Sequence, residues 1–311
     1  YRQPFESAVN AENLLLEEWA DTVQSTKEFR IYPIRQEDLW LDGLEASEET
    51  EAPSLEMGTE HGKYRGGKWG GKYLRAPDIF FTILEKGKGK LVRLGDIAEV
   101  RFGIKTGANE FFYLEDITDK VSDEYLTRYG ISRKDTDKLR FCRNAAGWEG
   151  LIEAEFLKPV VTSPVELKSY LVLPQECKRR CFMCHKERHE LRGTKAMRYI
   201  LWGEQSEEDQ DGNEKRAFHL RPTCRNRQRW WNLREPPLSD CLWTMTYRER
   251  FFIPLNKGAY ADARFYDIYI ADKKVTQAVA AQLNSYLSLL WMELLAGGYG
   301  GGGFTCICTY W

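Results

Sequence analysis

Between Cys177 and Cys224 lie the residues whose types and spacing first suggest chemistry. Cys177, Cys181 and Cys184 are separated by three and two residues, and His185 and His189 by three. Thiolates and imidazoles at such intervals are ligands for a tetrahedral zinc ion, and Cys224 with His219 offers a second half-set. The competing fate of a cysteine is that of a small apolar side chain buried in a core. One expectation is therefore a zinc-stabilised nucleic-acid-binding or protein-interaction module using Cys177, Cys181, Cys184, His185, His189 and Cys224.

Recognition of phosphates and bases is the second chemistry the residues allow. The run RPTCRNRQRWW presents Arg221, Arg225, Arg227 and Arg229, then Trp230 and Trp231. Arginine forks match phosphates and guanine edges, and tryptophan stacks on bases or on a guanidinium plane. The alternative is a strand with solvated arginines and core tryptophans. Further upstream, Lys68, Trp69 and Lys72 interleave basic and aromatic residues with glycines. That mixture suits a phosphate backbone approached closely, or else a flexible connector. In KLVRLGDIAEVRFGIKTGANEFFYL, Lys90 to Leu114, Gly103 and Gly107 bracket Ile104-Lys105-Thr106. Such glycines permit a sharp turn with Lys105, Thr106 and Asn109 at its tip, where a partner could meet them. The plain alternative is a hairpin that only reverses the chain. GxxxxGK[ST], GxSxG and HExxH are all absent, which argues against an NTP-binding loop, a serine-hydrolase elbow and a zincin.

The elements that must carry these residues follow from patterning. With 311 residues, 42% hydrophobic and 30% charged, the chain is long enough for more than one folding unit. No apolar run is long enough to span a membrane, and eight cysteines in a chain of this length do not require a disulfide framework. A cytoplasmic location is the expectation. The net charge of −2 conceals segregation. Glu37 to Glu60 carries nine acidic residues and no basic one, whereas Gly62 to Arg93 carries nine basic residues against Asp78 and Glu85. A local patch, not the total, sets the field that a phosphate feels. FRIYPI (29–34), 242–253 and 265–270 alternate as strands, and Pro77 suits the first turn of a short helix. From Thr276 to Ala296, Val279, Leu283, Leu287, Leu290 and Leu294 fall on one face of a long helix, which Gly297 ends.

The order of these stretches carries a resemblance. KWGGKYLRAP, KLVRLGDIAEVRFGIKTGANEFFYL, FMCHK with LRGTKAMRYILWGE, RPTCRNRQRWWNL and LNSYLSLLWMELLAGGYGGGG together resemble the C-terminal part of bacterial N6-adenine DNA methyltransferases of restriction–modification systems, those with a TaqI-like specificity domain. FESAVNAENLLLEEW resembles the end of the preceding catalytic domain. The resemblance implies a mixed α/β (α+β) fold. A remnant of a Rossmann-like methylase domain, residues 1–62 with the acidic linker, would precede a Gly-rich basic hinge and short helix at 63–90. A strand-rich target-recognition domain with a long C-terminal helix would follow at 91–311. The partner implied is double-stranded DNA, together with the N-terminal methyltransferase domain of the parent. That parent would bind S-adenosylmethionine and flip an adenine into its Asn-Pro-Pro-aromatic motif. No Asn-Pro pair occurs here, so this chain would hold neither cofactor nor target base and would be inactive alone. DNA contacts are expected from Lys105, Thr106, Asn109, Arg225, Arg227 and Arg229, with Trp230 or Trp231 packing beneath or stacking. Lys68, Trp69 and Lys72 would touch phosphates near the hinge.

Overall fold

The computed structural model describes residues 23–25, 30–43, 73, 76–208, 214–247, 251–295, 297–299 and 303–305. The acidic run, the Gly-rich basic run with Lys68, Trp69 and Lys72, and the proposed catalytic remnant at the N-terminus lie wholly or largely outside them. The chain divides into two units, residues 1–91 with 290–296, and residues 92–289 with 297–311.

In the first unit, β1 (Gln24–Ser25) pairs antiparallel with β2 (Arg30–Ile31). A helix spans Asp78–Lys86 with Pro77 before its first turn, where a residue lacking an N–H costs nothing. Its buried Phe80 packs with Ala76 and Leu294, and the Phe80 and Trp291 rings lie 4.6 Å apart.

The second unit holds β3 (Ala98–Phe102), β4 (Tyr113–Asp116), β5 (Leu139–Asn144), β6 (Glu149–Glu153), β7 (Leu157–Val161), β8 (Leu171–Val172) and β9 (Arg179–Phe182). After them come β10 (Ser206–Glu208), β11 (Glu214–Arg216), β12 (Cys241–Thr244), β13 (Thr246–Tyr247), β14 (Leu255–Asn256), β15 (Tyr260–Ala261), β16 (Phe265–Ile270), β17 (Gly297–Tyr299) and β18 (Gly303–Thr305). Two mixed sheets dominate. One has the order β3-β16-β12-β14-β8 and the other β15-β7-β9-β4-β5-β6; in each, one pair is parallel and the others antiparallel. With several helices besides, the fold is mixed α/β of the α+β kind.

β16 and β12 are buried almost throughout, as their aromatic and β-branched residues require. Against the six-stranded sheet lies the helix Lys195–Glu204. Thr194 caps it by accepting from the Met197 N–H at 3.0 Å, and the Glu153 carboxylate accepts from the Lys195 and Ala196 N–H groups at 2.7 and 2.9 Å. A carboxylate there also meets the positive end of the helix dipole. The helix delivers Tyr199 onto Phe111, the rings stacked at 4.4 Å, in a core that includes Phe112, Phe182, Phe218 and Trp230. Each such large side chain contributes about 1.5–3 kcal/mol over remaining exposed.

Two expectations are corrected here. Lys90 to Leu114 is not a hairpin: β3 is an edge of the five-stranded sheet, paired with β16, while β4 lies inside the six-stranded sheet between β9 and β5. Alternation fixed that two strands exist but not which strands they pair with. The single helix expected over 276–296 is two, Thr276–Leu283 and Tyr286–Leu295. Asn284 breaks it. Its amide donates to the Ile253 and Ala280 carbonyls at 2.8 and 2.7 Å and accepts from the Ile253 N–H at 2.7 Å. Short polar side chains compete in this way with the helical ladder.

Among the described residues, no helix is long and apolar enough to cross a membrane.

Candidate nucleic-acid interface

The chain passes from one sheet to the other through residues 103–108 and returns through 262–264, and the two crossovers run side by side. Gly103 N–H donates to the Phe265 carbonyl at 2.9 Å, Ile104 N–H to Ala261 at 2.8 Å, and Ala263 N–H to Ile104 at 3.1 Å. The approach needs a residue without a side chain: a Cβ on Gly103 would stand 2.6 Å from the Ala261 carbonyl oxygen. Gly107 has φ +75°, the left-handed region, and a Cβ there would meet the Thr223 side chain at 2.6 Å. Thus the short helix Pro222–Arg225 seats on the turn.

Arg227 locks this arrangement. Its guanidinium donates to the carbonyls of Thr106 at 2.6 Å, Lys105 at 3.2 Å and Trp230 at 3.1 Å, and lies 5.4 Å from the Phe112 ring centroid. Beneath the return crossover, buried Asp262 accepts from the Tyr113 hydroxyl at 2.8 Å. Burial, then the nearby Cys181 and Asp262, push that hydroxyl far above its ordinary pKa, so it stays a donor. Arg221 pairs with Glu110 at 2.5 Å. Burial raises the Glu110 carboxyl, but the hydrogen bond from Arg221, aided by its own backbone N–H, carries it below the usual carboxylate range.

A cleft lies on either side of the turn. The first, about 240 Å³, is lined by Arg101, Phe102, Lys105, Arg227, Arg234 and Tyr269, with smaller contributions from the turn backbone and residues 233–236. Four cations line it and no carboxylate does. Arg101 is partly neutralised by Glu99, with which it also forms a hydrogen bond; that bond lowers the Glu99 carboxyl. The second cleft, about 460 Å³, is lined by Lys105, Thr106, Asn109, Glu110, Asp262 and Arg264 together with the turn backbone.

The expected contact residues separate into two groups. Lys105, Asn109 and Arg225 are exposed, and Arg225 makes no ion pair among the described residues. Thr106, Arg227 and Arg229 are instead engaged within the protein, and Trp230 and Trp231 take the packing alternative. Thr106 is only 1% exposed; its hydroxyl bonds the Asn109 carboxamide oxygen and accepts from the Ala108 N–H at 3.2 Å. Arg227 holds carbonyls, as above. Arg229 is mostly buried and pairs with Glu187. Trp230 donates to Glu204 at 2.8 Å and packs 4.7 Å from Phe111, while Trp231, also buried, is covered by the Arg188 guanidinium at 5.2 Å. Neither indole can stack on a base. Sequence reasoning missed Arg101, Phe102, Arg234, Arg264 and Tyr269. The signal for Phe102 was its place at a strand end directly before the turn.

The zinc expectation also fails on geometry. Among the described residues no three His, Cys, Asp or Glu side chains are placed to hold a metal ion. Cys181, Cys184 and Cys224 are buried in the apolar core around Phe111, and Cys177 packs at the edge of another cluster. Burial pushes the Cys177 thiol up to about 11 and raises those of Cys181, Cys184 and Cys224, as suits side chains packed in an apolar core. His185 is engaged elsewhere, with Glu235 at 3.0 Å.

No protein-family model matches the chain, and no curated protein matches it. Among solved structures it is similar to the type IIG restriction endonuclease BpuSI, with 12% identity and a TM-score of 0.41, over 70% of this chain and 23% of that one. The chain thus spans less than a quarter of that enzyme's length.

Proposed function

We propose that this chain binds double-stranded DNA through the turn at 103–109, as the specificity region of an N6-adenine DNA methyltransferase of a restriction–modification system. The observation that carries DNA binding is the cleft beside the turn, where Lys105 and Arg234 stand with Arg227 and a partly neutralised Arg101 and no carboxylate belongs to the lining. Such a surface attracts a polyanion and releases its counterions. Lys105, Arg234 and Arg225 then contact phosphates. Asn109, whose carboxamide oxygen is held by Thr106, keeps its NH₂ for a base edge. The methyltransferase assignment rests on the ordered motifs from about Gly67 to Gly303. On this reading S-adenosylmethionine and the flipped adenine belong to a domain of the parent, and this chain orients the duplex towards it.

Substitution tests the reading. Lys105→Ala and Arg234→Ala should each weaken duplex binding about equally on every sequence and reduce the magnitude of the salt slope by about 1. Asn109→Ala should relax discrimination at one base pair, by about 1–3 kcal/mol. Unchanged duplex affinity in both Lys105→Ala and Arg234→Ala would remove this cleft from the DNA interface.

A further inference from the structure

Phe102 is the residue of the cleft that phosphate binding leaves unexplained. It ends β3, and the residue is 54% exposed beside arginines and a lysine. A large aromatic left in water forgoes the gain of burial. Tyr266 supports the ring from behind, with centroids 5.0 Å apart and planes tilted by 43°. The Lys105 ammonium lies 4.7 Å from its centroid. Arg101 lies over the neighbouring Tyr269 ring at 5.3 Å. An aromatic face flanked by cations is what an unstacked base and its phosphate require, because every base has a π-face and each nucleotide one negative charge.

We propose that Phe102 is a stacking platform for an unpaired base, and that the cleft takes one nucleotide out of the duplex. The base lies on Phe102, and the phosphate sits between Lys105 and Arg234. In the free protein Lys105 occupies the ring. On binding, a phosphate draws the ammonium away and the base takes its place. The exchange is favourable because stacking of a base on an aromatic ring outweighs a cation–π contact at an exposed site. A paired base cannot reach the ring without unstacking, so a bulged or mismatched nucleotide, which has already paid that cost, is preferred. This rests on the DNA-binding reading and adds to it a preference for distorted DNA.

The test measures equilibrium binding of the full chain to two duplexes of one sequence, one fully paired and one with a single bulged 2-aminopurine. The proposal expects the bulged duplex to bind about tenfold tighter, with 2-aminopurine fluorescence quenched on binding. Phe102→Ala should abolish both the preference, read as the ratio of the two affinities within that variant, and the quenching, and Phe102→Trp should keep both. Phe102 is exposed, so the variants should fold, which a matched thermal midpoint verifies. Equal binding of the two duplexes, or a full preference retained by Phe102→Ala, overturns the stacking role and leaves duplex binding standing. Binding to neither duplex overturns both.

Discussion

At the scale of single residues, the same type takes opposite parts within one short stretch. Arg225 faces water while Arg227 and Arg229 are consumed by the protein itself. The sequence RPTCRNRQRWW could not separate them, because the partners of Arg227 are carbonyls at 105 and 106 and that of Arg229 is Glu187, all distant in the chain. Trp230 and Trp231 were equally ambiguous, since aromatics are common both in cores and at interfaces. Arg227→Ala should cost about 2 kcal/mol in denaturant unfolding, since three carbonyls lose a charge-assisted donor. Arg227→Lys should not restore it, because an ammonium cannot reproduce a planar fork; full stability in the lysine variant would mean the fork is dispensable. The cysteines show the same limit. Their spacing permitted zinc, but three are distributed through one apolar core and Cys177 belongs to another cluster. Purified protein should therefore carry no stoichiometric zinc and keep its thermal midpoint in a chelator.

At the scale of elements, the glycines of the turn at 103–107 were legible and the job of the turn was not. Gly103 and Gly107 marked a special backbone, and the structure gives each a reason. What patterning could not supply was that β3 and β4 belong to different sheets, so that the turn is a crossover braced by a second crossover at 262–264. Pairing partners are set by contacts far apart in sequence. Gly103→Ala should force the crossovers apart at the Ala261 carbonyl, costing roughly 1–3 kcal/mol in stability. It should also weaken DNA binding although the substituted residue carries no charge. An alanine variant with wild-type stability would show that the close approach is not required. The break at Asn284 has the same origin: the apolar stripe from Val279 to Leu294 was visible, but its partner at Ile253 was not.

At the scale of the whole molecule, the α+β class and the strand-rich character after residue 91 were what the resemblance implied, and alternation suggested only individual strands. The arrangement of two sheets could not be read from either. Their joint stability carries a pH signature. Asp267 lies buried in β16, and burial pushes its carboxyl up to about 6, although a hydrogen bond from Ser239 opposes the shift. A folded pKa above the unfolded one means that the native state binds the extra proton. Stability from this group is thus greatest at pH below the ordinary aspartate range, about 4, and is lost as pH rises towards 6. Asp267→Asn, which keeps an acceptor for Ser239, should stabilise the fold at pH 7 on the order of 2 kcal/mol. The advantage should shrink as pH falls to 4. Equal stabilities at both pH values would mean that Asp267 ionises freely in the fold.

The central claim is that the basic cleft beside residues 103–109 meets a duplex backbone. Its most direct test is the affinity of the intact chain for a mixed-sequence duplex pool as salt is raised. With Lys105, Arg225 and Arg234 on phosphates, the plot of log K against log salt should fall with a slope of about −3. Absence of binding at low salt, or an affinity indifferent to salt, would contradict the account.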